Sequence, residues 1–188
     1  MATRESLISG ALTPFMEARV AATTRAFARR GRLFSPRDAC DILSDRLDEA
    51  LVELTAQAEA HDVAVVAVGG YGRREQFRHS DIDLMLLVPG GDTARATAIL
   101  YPLWDADLKV GHSIRTVEQA AEAARGNIET MTALLTARLV AGDTGLYTRW
   151  QASFTKVVRG DSAGSSSRSG LNTPRQRYVS RGSSRSST

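Results

Sequence analysis

Two short apolar runs, Val63-Ala64-Val65-Val66-Ala67-Val68 and Ile82 to Val88, flank a polar stretch that opens on Gly69-Gly70 and ends at Ser80-Asp81. Both runs are too short and too uniformly apolar for an amphipathic helix. They predict strands covered on both faces. Ten residues separate Gly70 from Asp81, enough for a short helical excursion and a return to the adjacent strand. The glycines and the acids then meet at one edge of a sheet. No other segment constrains the fold as strongly.

Helical patterns surround this pair. A helix is expected from Phe15 to Arg30, stopped by Gly31. A second should start at Ser35-Pro36, with serine as cap and proline in the first turn, and run to about His61. Its apolar residues Leu43, Leu47, Leu51 and Leu54 recur at helical spacing, so core packing is its expected role. Thr93 to Asp107 reads as a helix kinked at Pro102, Lys109 to Arg115 as a third strand, and Thr116 as the cap of a helix reaching Arg125. Asn127 to Ala141 and Thr144 to Val158 complete the helical part. The order predicts an α/β (α+β) fold with a small mixed sheet flanked by helices. The expected divisions are a helical segment over 1–62, a core over 63–158 and a tail over 159–188.

Composition narrows the function classes. The single cysteine, Cys40, excludes a disulfide scaffold and any multi-cysteine zinc site, and fits a reducing cytoplasm. No apolar run approaches the roughly 20 residues of a membrane span, and residues 1–10 lack the apolar stretch of a signal peptide. From Asp161 onward the chain holds ten serines and five arginines against one acid. That tail carries a charge of +4 against +3 for the whole chain, which leaves residues 1–160 near neutral. The basicity is therefore no argument for a nucleic-acid-binding surface on the folded part. The tail is too polar to offset its ordering entropy and is expected to be disordered.

The chemistry lies between the two strands. Asp81 and Asp83 stand two apart, so their side chains share one face while Ile82, Leu84 and Leu86 take the other. Two carboxylates on one face repel when both are ionised. A divalent cation removes that cost, and hard oxygen ligands suit Mg²⁺, with Mn²⁺ as a substitute. Gly69-Gly70 lets the backbone turn sharply and approach a ligand, and the first amides of a short helix there suit phosphate. Arg73 and Arg74 add charge that can pair with phosphate oxygens. A metal pair beside a phosphate cradle is what nucleotidyl transfer requires. Other phosphate motifs are missing: there is no GxxxxGK[ST], and Gly69-Gly70-Tyr71-Gly72 does not make GxGxxG.

The stretch GGYGRREQFRHSDIDLMLL resembles the polymerase-beta-like nucleotidyltransferases. Within them it is similar to the N-terminal domain of the bifunctional uridylyltransferase/uridylyl-removing enzymes that modify the PII nitrogen-regulatory protein. A second block, LWDADLKVGHSIRTVEQAAEAARGNIETMTALLTARLVAGD over Leu103 to Asp143, is similar to the segment that follows in that family. The resemblance implies Asp81 and Asp83 as metal-binding catalytic acids. It implies Gly69, Gly70, Gly72 and Arg73 as the nucleotide-phosphate site, with Ser80 beside it. The implied reaction transfers UMP from UTP to a tyrosine hydroxyl of PII with loss of pyrophosphate, in the cytoplasm.

The sequence departs from that pattern in several places. Arg74 stands where many members have glycine, and Gln76 and Arg78 replace commonly apolar or proline positions. Superfamily members often carry a third carboxylate on the next strand, where this chain has His112 and Ser113. His112 is a candidate ligand, with packing as its commoner role; Asp105 and Asp107 read as acids at a helix end. The phosphohydrolase and glutamine-sensing domains of the family have no counterpart, and the Arg/Ser tail has the composition of a GC-rich gene read out of frame. A truncated or frameshifted product is therefore expected, with a natural short form as the alternative, and it is either active or a catalytically inactive remnant or regulatory fragment. RNA binding through the tail is the remaining alternative.

Overall fold

The computed structural model describes residues 4–22 and 35–160. Its first helix, α1 (Arg4–Ala21), begins earlier than the sequence pattern suggests and runs through Pro14. Burial of Ala11, Leu12 and Phe15 against the next helix offsets the backbone bond that the proline removes. The expected continuation to Arg30, the disordered tail and its RNA-binding alternative lie outside the described residues.

Helix α2 (Pro36–Gln57) starts on a reciprocal cap. The Ser35 hydroxyl accepts from the Asp38 amide at 3.2 Å, and the Asp38 carboxylate accepts from the Ser35 amide at 2.9 Å. It ends four residues before His61, where Glu59 takes a left-handed conformation. The chain continues through β1 (Ala64–Ala67), a single turn α3 (Gly69–Gly72), β2 (Ile82–Leu87), α4 (Ala94–Asp105), β3 (Val110–Arg115) and α5 (Val117–Gly126). Then come α6 (Ile128–Leu134), β4 (Arg138–Gly142) and α7 (Thr144–Arg159). Pro102 sits inside α4 without ending it.

Strand β4 corrects the sequence reading, which carried a helix from Asn127 to Ala141. The helix stops at Leu134, and Arg138 to Gly142 pairs antiparallel with β1 across an irregularity at Val65/Val66. The sheet runs β3-β2-β1-β4, with β2 and β3 parallel and the other neighbours antiparallel. The result is the mixed α+β arrangement expected, with one more strand.

Alternation along the central strands divides the core in two. Val65, Ala67, Ile82, Leu84 and Leu86 pack with α1, α2 and α4. Ala64, Val66, Met85 and Leu87 face the other way, onto α5, α6 and α7, where Trp150 stacks on Phe154 at 5.2 Å. Each fully buried leucine contributes roughly 1.5–3 kcal/mol over an exposed one. This double coverage explains why β1 reads as an unbroken apolar run and β2 as one interrupted only by Asp83.

Candidate functional site

Because β1 and β2 are antiparallel, the end of one and the start of the other share an edge. The Val68 amide donates to the Asp83 carbonyl at 3.1 Å, one step beyond the Ala67–Leu84 pair. Gly69 follows at once with φ of +58°, a conformation that favours glycine. A Cβ built on it would stand 3.1 Å from Asp83 Oδ2. On the other side Gly111 is the β3 partner of Asp83, and a Cβ there would stand 2.6 Å from Oδ1. The Asp83 carboxylate thus lies between two glycines from neighbouring strands.

Asp81 precedes β2 and is exposed, whereas Asp83 is half-buried. Burial, and then the negative charge of Asp81, push the Asp83 carboxyl above its ordinary range. This is the repulsion that the Asp-x-Asp spacing predicts. A cleft of about 310 Å³ opens from the carboxylate between the sheet and helices α5 and α6. Gly69, Asp83 and Gly111 line it together with Ser113, Arg115 and Thr130. A larger hollow of about 600 Å³ between α6 and α7 has Arg159 as its one charged lining residue and gathers no acids.

The other expected site residues are spread around the turn. A Cβ on Gly70 would meet nothing nearer than Arg73 Nη2, at 3.9 Å. Arg73 itself donates to Glu75 at 2.8 Å. Gly72 has a packing reason of its own, since a Cβ there would stand 2.3 Å from the Thr136 carbonyl oxygen. The Ser80 hydroxyl accepts from the Phe77 amide at 3.2 Å and closes the 77–80 turn. Arg74 corrects the sequence reading: its guanidinium pairs with Asp41, Asp45 and Asp48 of α2 instead of standing free for phosphate. His112 pairs with Leu84, on the face away from Asp83, and its ring packs 5.3 Å from Trp104.

No family model matches the chain. Among curated proteins, a "bifunctional uridylyltransferase/uridylyl-removing enzyme" of Bradyrhizobium sp. (strain ORS 278) is 38% identical over 177 residues, covering 85% of this chain and 19% of that protein. Enzymes of the same name from Bradyrhizobium sp. (strain BTAi1 / ATCC BAA-1182) and Ralstonia nicotianae are 47% and 41% identical, over 55% and 60% of this chain. The chain belongs to this uridylyltransferase/uridylyl-removing family. It spans about a fifth or less of the length of these relatives.

The uridylyltransferase-family site fits a hard divalent cation in two respects. Asp81 stands close enough to add to the upward shift that burial gives the Asp83 carboxyl, and the glycines at 69 and 111 leave that carboxylate room. Among the described residues no group of three or more His, Cys, Asp or Glu side chains gathers to hold a metal. A cation here would take two protein carboxylates and complete its shell from phosphate and water oxygens, as Mg²⁺ commonly does.

Several site residues escaped the sequence reading. Gly111 had a signal: a glycine inside a short strand often marks a close approach of another group. Asp48, Thr136 and Arg138 had none, because their partners lie far along the chain. Among the described residues no helix is long and apolar enough to cross a membrane.

Proposed function

We propose that this chain is a divalent-metal-dependent nucleotidyltransferase domain that takes UTP as donor and a tyrosine hydroxyl of the PII nitrogen-regulatory protein as acceptor, in the cytoplasm. One observation carries the reading: the Asp83 carboxylate sits between Gly69 and Gly111, with Asp81 close enough to raise its pKa. In this reading Asp81 and Asp83 hold Mg²⁺ or Mn²⁺. Bound there, the ion would neutralise the acids and polarise phosphate oxygens. Gly69 and Gly70 let the triphosphate approach the backbone, Gly72 keeps the turn in place, and Arg73 and Ser80 lie beside it. The acceptor oxygen bonds to the α-phosphorus as the α–β anhydride bond breaks. Pyrophosphate leaves with the bond's electron pair, and the hydroxyl proton passes to solvent.

The test uses the purified chain with Mg²⁺ or Mn²⁺, labelled UTP and PII. Label should move to PII with wild type and not with Asp83→Asn. Equal behaviour of the two proteins would sink the catalytic reading.

A second reading is an inactive domain that binds nucleotide without turnover. The absence of a third acid opposite Asp83, where β3 presents Gly111, favours it. It predicts metal-dependent heat on titration with UTP and no label on PII.

A further inference from the structure

Beneath the Gly69–Gly72 turn lies a polar cluster that the proposed chemistry does not use. Tyr71 is 1% exposed, and its hydroxyl donates to Asp48 Oδ1 at 2.5 Å. Burial, and then the charge of Asp48, hold the Tyr71 phenol well above its ordinary pKa, so it stays a donor. Arg138 donates to both oxygens of the same carboxylate, at 2.6 and 3.0 Å, and its guanidinium lies 5.4 Å from the centre of the Tyr71 ring. Arg74 closes the cluster at 3.6 Å from Asp48 Oδ2.

Their places in the chain give the cluster its meaning. Tyr71 lies two residues after Gly69. Arg138 is the β4 partner of Ala67, two residues before Gly69. One carboxylate, delivered by α2, therefore holds Tyr71 on one side of Gly69 directly and, through Arg138 and the pairing of β4 with β1, reaches Ala67 on the other. From the other flank the Thr136 hydroxyl lies 3.3 Å from both the Gly69 and the Ala133 carbonyl oxygens and shares its one proton between them. Asp41, Asp45 and Asp48 recur at helical spacing along α2, so this helix turns an acidic face to the turn and an apolar one to the core. Bidentate arginine–carboxylate pairs fix orientation as well as distance.

We propose that Asp48 is a positioning residue: from α2 it sets the Gly69–Gly72 turn, and through it the place of the donor's phosphates relative to Asp83. The second half of this statement rests on the nucleotidyltransferase reading; the first does not. Helix α2 is then part of the site's machinery and not only a core helix.

The experiment compares the full wild-type chain with Asp48→Asn and Tyr71→Phe. Asp48→Asn keeps volume and loses the charge. Tyr71→Phe keeps the ring and loses one hydroxyl. Amide hydrogen exchange is followed over residues 68–75 and over α7 as an internal reference. UTP affinity is measured by calorimetry with Mg²⁺. Exchange over 68–75 should rise about ten-fold while α7 stays unchanged, and the apparent Kd for UTP should rise by about ten-fold, as loss of a charge-assisted hydrogen bond implies. Asp48→Ala should exceed Asp48→Asn in both readings. Unchanged exchange over 68–75, or an equal rise across α7, overturns the anchoring role. Changed exchange with unchanged UTP affinity overturns the positioning of phosphates. Should wild type bind no UTP, the site's function and the phosphate half of the proposal fall, while the exchange result still decides the anchoring.

Discussion

Gly111 stands directly opposite Asp83 in the parallel β2–β3 pair, and a Cβ added to it would lie 2.6 Å from the carboxylate oxygen. The clash is with the end of a side chain that can rotate, not with backbone. Gly111→Ala should therefore fold with near wild-type stability and displace the Asp83 carboxylate. On the proposed function, UMP transfer should then fall by about ten- to a hundred-fold, the scale of an ångström-sized misplacement. Thermal melts beside the transfer assay check both parts. Full activity would mean that the position of Asp83 is not critical.

The charge of Asp83 has a stability consequence of definite sign. Burial and Asp81 raise its folded pKa above the unfolded value. Its favourable contribution is thus complete below the unfolded pKa, about 3.9, and is lost as pH rises through the folded pKa. At neutral pH without divalent cation, Asp83→Asn should melt above wild type, and the gap should close in acid. Added Mg²⁺ should stabilise wild type and leave the variant unmoved. Calorimetry with chelator and with Mg²⁺ gives both results; a variant that melts below wild type at neutral pH counts against the charge argument.

Backbone clashes are a different case. A Cβ at Gly142, where φ is +85°, would stand 1.8 Å from the Val63 carbonyl oxygen, and one at Gly72 would stand 2.3 Å from that of Thr136. Gly142→Ala and Gly72→Ala should each lose at least about 2 kcal/mol. Gly90 has nothing within 4 Å of its Cβ position. Gly90→Ala should stay within about 0.5 kcal/mol of wild type. Denaturant unfolding ranks the three.

Trp150 tests whether α7 belongs to the core. It is 1% exposed and stacks on Phe154 against the face that carries Met85 and Leu87. Trp150→Ala should cost about 3–5 kcal/mol. A loss below 1 kcal/mol would mean that α7 contributes little to the fold.

Much of this was legible in the sequence because it rests on local patterns. The central strands announced themselves as apolar runs, and the Ser35 and Thr116 caps fixed two helix starts. The meeting of Gly69 with Asp83 followed from strand, turn and returning strand. Strand β4 was hidden because Arg138-Leu139-Val140-Ala141 continues the apolar spacing of α6, and only its distant partner β1 makes it extended. The pairing of Arg74 with Asp48 was hidden for the same reason. A charge in a loop and a charge on a helix say nothing of each other when 25 residues of chain stand between them.

The antiparallel pairing of β1 with β2 leaves the connecting segment with little to measure out. The bond from the Val68 amide to the Asp83 carbonyl, next to the Ala67–Leu84 pair, holds the bend and the acid together, so chain length between them is no ruler. The outer tip is tied down separately: Arg19 of α1 donates to the Arg78 carbonyl at 3.0 and 2.7 Å, and the buried Gln76 donates to that of Ser80 at 3.3 Å. Changes in that tip therefore act on α1 and on Ser80, not on the spacing of Gly69 and Asp83.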